Sequence, residues 1–236
     1  MEGKRYKQIY IDLDDTLWDT KGNAERTFRE LYDTFEYHRF YSSFEDYYEV
    51  YMAKNMLLWQ AYSRNEVTKD ELNQTRFAHP LIEAGVSNDE AVKMGQEFET
   101  TMYGVIAEQT GLCPFAKDLL DYLSPLYPLH ILSNGWPGLQ QKKMASAGIL
   151  NYFDKIVLSE DIGVPKPGKE IFHYALSATQ CQPKDAIMIG DNWRADIVGA
   201  ARIGIDQIYY NPNFNQDIEI TPTYCVHDLR EVMEIL

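Results

Sequence analysis

Asp12, Asp14 and Asp15 follow directly on Ile9-Tyr10-Ile11, an apolar run that reads as a buried strand. In an extended chain alternate side chains share a face, so Asp12 and Asp14 point the same way. Two anions that close repel unless a cation or a shared proton intervenes. The stretch is therefore either a solvated Asp-rich turn or a carboxylate site built around a metal. Three later stretches carry matching chemistry. Ser133-Asn134-Gly135 can offer several hydrogen-bond donors to an anion, although alone it reads as an ordinary turn. Lys166 stands between Pro165 and Pro167, which limit backbone freedom, where the default is a solvated loop lysine. Asp191 and Asp196 follow Ile189; one could simply cap a helix and the other complement its dipole.

The elements that must position these residues are legible from apolar patterning. Short apolar runs at Leu129–Leu132, Ile156–Leu158, Ala186–Ile189 and Gln207–Tyr210 read as strands. Between them lie amphipathic segments over about 115–123, 138–147, 169–178 and 196–203. Such alternation predicts an α/β fold, a Rossmann-like parallel sheet with right-handed crossovers. Ligands bind such sheets beyond the carboxyl ends of the strands, and each candidate lies at such an end or in a loop on that side. Residues from about Lys21 to Ala107 read instead as helix after helix. Thr68-Lys69-Asp70-Glu71 and Ser87-Asn88-Asp89-Glu90 match the capping box, and Gly85 sits where the helix between them would end. Tyr47, Tyr48, Tyr51, Met52, Asn55 and Met56 fall at helical spacing, and such aromatics are more often packing core than a base-stacking shelf.

If the four stretches converge, the chemistry is coherent. Asp12 and Asp191, with a backbone carbonyl near Asp14, would supply hard oxygen ligands suited to Mg²⁺. Ser133, Asn134 and Lys166 would neutralise phosphoryl oxygens. Asp12 could then attack phosphorus, while Asp14 protonates the leaving oxygen and later activates water.

DLDDT, SNG, the lysine of VPKPGKEIF and GDNWRAD together resemble the four ordered motifs of the haloacid-dehalogenase-like hydrolases. The resemblance implies a nucleophile at Asp12, an acid/base at Asp14, phosphate binding at Ser133 and Lys166, and Mg²⁺ binding at Asp191. It implies that Asp196 supports the metal water or the lysine. It also implies a discontinuous core, residues 1–18 and 112–236, with a helical cap at 19–111. Val67–Leu72, Thr75-Arg76-Phe77 and Thr221-Pro222-Thr223-Tyr224 are similar to the bacterial pyrimidine 5′-nucleotidase branch. That branch implies a nucleoside monophosphate as substrate. Trp136, directly after the SNG turn, is then a candidate to stack on a base or else packs between core and cap. The rival substrates are a sugar phosphate or phosphoglycolate. A phosphomutase would use the same core residues, and a catalytically silent binding protein is opposed by the intact Asp12, Asp14, Lys166 and Asp191. A dehalogenase is disfavoured because in that branch the position of Asp14 is not an acid.

The chain has 236 residues, 45% hydrophobic and 13% aromatic, enough for a folded interior. A net charge of −14 argues against nucleic-acid polymers and anionic membranes as partners, but not against a small phosphorylated metabolite held by a metal and one or two lysines. Cys113, Cys181 and Cys225 form no CxxC pair, and no apolar leader precedes the acidic cluster. Both features fit a soluble cytoplasmic protein with reduced thiols. His38, His79, His130, His173 and His227 show no metal-ligand spacing. Oligomeric state is not legible.

Overall fold

A computed structural model describes residues 5–64, 66–216 and 220–236. The chain divides into two compact units, Met1–Lys21 with Ala107–Leu236, and Gly22–Ile106.

The first unit is built on six parallel strands: β1 (Gln8–Ile11), β2 (Leu129–Ser133), β3 (Phe153–Leu158), β4 (Ala186–Gly190), β5 (Asp206–Tyr210) and β6 (Tyr224–Val226). Their order is β3-β2-β1-β4-β5-β6. The chain thus steps outward from β1 on one side and then resumes beside β1 on the other. β1 is the strand at which the winding reverses, and the crevice beyond its carboxyl end is where such sheets bind ligands. Registers Ile11↔Ile131 and Ile11↔Ile189 bring the ends of β2 and β4 level with the end of β1. β2 and β4 are buried throughout, as expected of strands covered on both faces. Tyr10, Leu132, Val157, Phe172 and Met188 belong to one buried apolar cluster of the sheet and its helices.

The helices are α1 (Thr20–Thr34), α2 (Phe44–Ser63), α3 (Lys69–Glu83), α4 (Asn88–Ala107), α5 (Ala116–Leu123), α6 (Leu139–Ser146), α7 (Ser159–Ile162), α8 (Lys169–Ala178), α9 (Gly199–Ala201) and α10 (Leu229–Ile235). In the second unit, Phe28, Tyr37, Tyr47, Phe77 and Phe98 are buried and pack ring on ring, with Phe28 and Phe98 centroids 5.3 Å apart. The aromatics of this unit that the sequence suggested as packing core are that core at Tyr47 and Tyr51, while Met52 and Met56 are exposed. Among the described residues no strand interrupts it. Thr68 and Glu71 form the reciprocal capping box of α3.

One local expectation needs correction, and two elements had none. The segment expected as an ordinary helix from Asp196 starts at Trp193 as a π-helical turn, Trp193–Val198, before α9. The Asn192 carbonyl accepts from both Asp196 N (2.9 Å) and Ile197 N (3.5 Å), which widens the turn. β6 and α10 had no counterpart in the patterning: a three-residue strand and a seven-residue helix carry few positions in which to show a period.

Candidate active site

Asp12 is the first residue beyond β1, and its N–H still donates to the Ile189 carbonyl at 2.9 Å, extending the ladder to β4. Ser133 ends β2, Asp191 follows β4, and Lys166 lies in the loop between α7 and α8. All belong to the sheet unit, and tertiary structure brings them together.

Lys166 is the centre of this group. Its buried ammonium donates to Asp12 Oδ1 (2.7 Å), Asp196 Oδ1 (2.6 Å) and the Leu132 carbonyl (2.6 Å). An ammonium has three hydrogens, and these three acceptors use them all. Burial alone would disfavour its charge, but Asp12 and Asp196 outweigh that and raise its pKa. Asn134 fixes the loop: its side chain accepts from Lys166 N–H (2.8 Å) and donates to the Lys166 carbonyl (3.0 Å). In this arrangement Asn134 is a clamp on Lys166.

Oxygens of Asp12, Asp191 and Asp196 all lie within 4.8 Å of one another. Burial pushes the Asp12 carboxyl well above the usual carboxylate range; Lys166 opposes this, and Asp196, Asp191 and Asp14 add to it. Asp191 is pushed up to about 7 by burial, then by Asp196 and Asp15, against a hydrogen bond from Thr16 and the charge of Lys166. Carboxylates raised in this way by one another suit a cation between them. Mg²⁺ takes oxygen ligands at about 2.0–2.1 Å and keeps several waters, so oxygens this close can share one ion directly or through its waters. Both Asp196 oxygens already accept, from Lys166 and from Asn192 N–H (3.1 Å), which suits Asp196 to a supporting place. Gly190 is required here, since a Cβ would collide with the Asp196 carboxylate.

Asp14 is held separately. Oδ1 accepts from Lys143 Nζ (2.9 Å) and Thr20 Oγ1 (3.1 Å), and Oδ2 accepts from Gln140 Nε2 (2.7 Å). Burial would raise its pKa, but the Lys143 charge and the bonds from Lys143, Gln140 and Thr20 overcome this and lower it. The metal set expected from the sequence used only the backbone carbonyl at Asp14, so these side-chain contacts do not compete with it. Ser133 Oγ accepts from Gly135 N–H (3.0 Å) and Gln140 Nε2 (2.9 Å). With both lone pairs engaged, the hydroxyl keeps its own hydrogen to donate to an anion. Gly135 is required because the Gln140 amide occupies the space of a Cβ. Trp136 is half-buried, and its carbonyl accepts from Gln140 N–H (3.1 Å) at the start of α6.

Sequence reasoning missed four residues. Thr16 is buried and couples the first and last loops, donating to Asp191 Oδ1 (3.1 Å) and accepting from Asp191 N–H (3.0 Å). Its place inside DLDDT was the available signal. Thr20, Gln140 and Lys143 gave little signal, because Leu139-Gln140-Gln141-Lys142-Lys143 reads as a solvated helix surface.

A family model for haloacid dehalogenase-like hydrolases matches residues 6–204. The chain is 31% identical to the pyrimidine 5′-nucleotidase YjjG of Escherichia coli, over 98% of each chain. It is 28% identical to the pyrimidine 5′-nucleotidase PynA of Streptococcus pneumoniae, over 98% of this chain and 95% of the other. A crystal structure of YfnB from Bacillus subtilis bound to magnesium superposes with a TM-score of 0.88 at 31% identity, covering 99% of each chain.

Proposed function

The chain belongs to the haloacid dehalogenase-like hydrolases, and from that membership and its site we propose that it is a magnesium-dependent phosphatase of small phosphate monoesters, with a pyrimidine nucleoside 5′-monophosphate as its substrate. The observation that carries the phosphatase reading is the pair Asp12 and Asp14. The two carboxylates stand two residues apart, yet each has its own lysine, Lys166 on Asp12 and Lys143 on Asp14. Hydrolysis of an ester needs a proton for the leaving oxygen, whereas departure of a halide needs none. A second carboxyl beside a nucleophilic one supplies that proton.

The steps follow from these groups. An Asp12 carboxylate oxygen attacks phosphorus in line with the ester oxygen; the P–O ester bond breaks, and Asp14, in the protonated minority that the Lys143 charge leaves, gives its proton to the leaving alcohol. Asp14, now ionised, takes a proton from water, whose oxygen attacks phosphorus. The bond to Asp12 breaks and inorganic phosphate leaves. Ser133 donates its hydroxyl hydrogen to a phosphoryl oxygen, and Lys166 contributes positive charge while holding Asp12 in place. Asp12, Asp191 and the Asp14 carbonyl are the residues that would hold Mg²⁺, with Asp196 in support. When bound, the ion supplies charge neutralisation, letting an anionic ester approach a cluster of carboxylates.

Full-length similarity to YjjG and PynA supports the pyrimidine nucleotide. The helical region at 19–111 is proposed as the cap that selects the leaving group. Trp136 is proposed to stack on the base, an interaction worth about 1–3 kcal/mol per base. The test is a panel of phosphate monoesters assayed with Mg²⁺. Pyrimidine nucleoside monophosphates should lead in kcat/KM, and Trp136→Ala should erode that lead while sparing p-nitrophenyl phosphate. Sugar phosphates or phosphoglycolate in the lead would overturn the nucleotidase reading. No hydrolysis of any ester would overturn the phosphatase reading.

A further inference from the structure

We propose that Gln140 and Lys143, one turn apart on α6, are positioning residues for the acid/base Asp14, and that Gln140 additionally locks Asp14 to the phosphate-binding hydroxyl of Ser133. The inference rests on the phosphatase reading, since it assigns a purpose to residues around Asp14.

Both side chains are polar and yet buried, so their placement has to be compensated by good partners. Lys143 has them: its ammonium bonds Asp14 Oδ1 at 2.9 Å and lies 4.2 Å from the centre of the Trp18 ring. The indole face holds the ammonium from a second direction, so its position is fixed before Asp14 is considered. Gln140 has a single amide nitrogen that serves two acceptors, Asp14 Oδ2 at 2.7 Å and Ser133 Oγ at 2.9 Å. One hydrogen goes to each. The distance between the acid/base and the phosphate donor is thereby set by the width of one planar NH₂ group. The Gln140 Oε1 atom is buried with no hydrogen-bond partner. That orientation leaves an acceptor unsatisfied, a cost tolerated where the other end of the amide is needed. Gly135, whose missing Cβ makes room for this amide, lies in the SNG turn itself. α6 thus fixes both carboxylate oxygens of Asp14 from one rigid face, with Thr20 adding a second bond to Oδ1.

The two residues have different reach, and this separates them from a merely structural role. Lys143 touches Asp14 but not Ser133, so Lys143→Met should leave KM and inhibition by inorganic phosphate unchanged and lower kcat through a misplaced Asp14, even though loss of the lysine charge favours the protonated carboxyl. Because leaving-group protonation contributes about 10²–10⁴-fold, the loss should approach about 10²-fold on an alkyl phosphate and be several-fold smaller on p-nitrophenyl phosphate. Gln140→Leu should lower kcat and also weaken inorganic phosphate, through Ser133. Lys143→Arg, which keeps the charge, should restore part of the alkyl-ester rate.

The deciding experiment is a double-mutant cycle on the alkyl ester, with thermal melts to show that each variant is folded. In an Asp14→Asn background, adding Lys143→Met should cost nothing further, because its action runs through Asp14. Additive losses, or equal losses on alkyl and nitrophenyl esters, overturn the inference. If the wild type hydrolyses no ester, or Asp14→Asn itself shows no leaving-group dependence, the phosphatase reading has failed instead. Should Lys143→Met not fold, Lys143→Arg and Gln140→Leu measured against the wild type still decide, by a kcat loss larger on the alkyl than on the nitrophenyl ester and, for Gln140→Leu, by the KM effect. No such leaving-group dependence in either would overturn the inference.

Discussion

Lys166 and Asp12 form a buried ion pair in which neither charge is exposed, so the state of one sets the state of the other. Asp12→Asn keeps the side chain nearly isosteric and removes the proposed nucleophile. It should lower kcat at least about 10³-fold, an outcome within the range that enzyme acceleration leaves open. The fold should survive, as judged by an unchanged circular dichroism spectrum; near-wild-type turnover would exclude covalent catalysis through this residue. Gly190 offers a subtler test. A methyl group there would push on the Asp196 carboxylate, which anchors Lys166 and accepts from Asn192. Gly190→Ala should therefore depress kcat through a displaced Lys166, although Gly190 touches no substrate. Gly190→Ala turning over at the wild-type rate would show that Asp196 can move without consequence.

At the scale of single elements, two contributions can be measured apart from catalysis. The α3 cap satisfies free amides through Thr68 Oγ1, which accepts from Glu71 N–H at 3.2 Å, while Glu71 Oε2 accepts from Thr68 N–H at 2.8 Å. Thr68→Ala should cost about 1 kcal/mol in urea unfolding, and Thr68→Ser should recover most of it. In β2, His130 is buried beside Tyr10; its Nε2 pairs with Gln8 Oε1 at 2.6 Å, and Nδ1 has no partner. Burial lowers its pKa to about 4, with Lys155 adding to this and Asp154 opposing it. An unfolded histidine titrates near about 6.5. Between these values the unfolded chain binds a proton that the folded chain does not, so stability falls as pH falls through that window. The urea midpoint should drop from pH 7.5 to pH 5, and His130→Gln should shrink that drop. An equal drop in both proteins would place the acid sensitivity elsewhere.

For the whole molecule, the net charge of −14 and the carboxylates at the sheet's carboxyl end act in the same direction. Binding of Mg²⁺ to the folded chain should stabilise it by mass action, by about 2.7 kcal/mol at a hundred times its Kd. Sodium chloride at matched ionic strength should reproduce only the screening part of that shift. Asp191→Ala should abolish the magnesium-specific increment in Tm, and a variant that kept the increment would move the ion away from Asp191. Among the described residues no helix is long and apolar enough to cross a membrane.

The alternation of strand and helix in the sheet unit was legible because burial leaves a local record: β2 and β4 are continuous apolar runs, and α8 occupies Lys169–Ala178, the segment its periodicity marked out. The four candidate loops were legible too, since three follow directly on such a run, the Lys166 loop lies one short helix beyond β3, and their residue types suit one reaction. Strand order was not, because Ile11 meets both Ile131 and Ile189 through crossovers that no single segment encodes. Nor was the surrounding of Asp14. Gln140 and Lys143 stand 126 and 129 residues from it, in a helix whose polar composition reads as solvated. Whether a polar side chain on a helix faces water or the interior depends on what the sheet presents to it, and here β2 and the Asp14 loop present a hydroxyl and a carboxylate. Local patterning therefore determined the elements and the candidate reacting groups, while long-range packing alone decided which partners hold each candidate group in place.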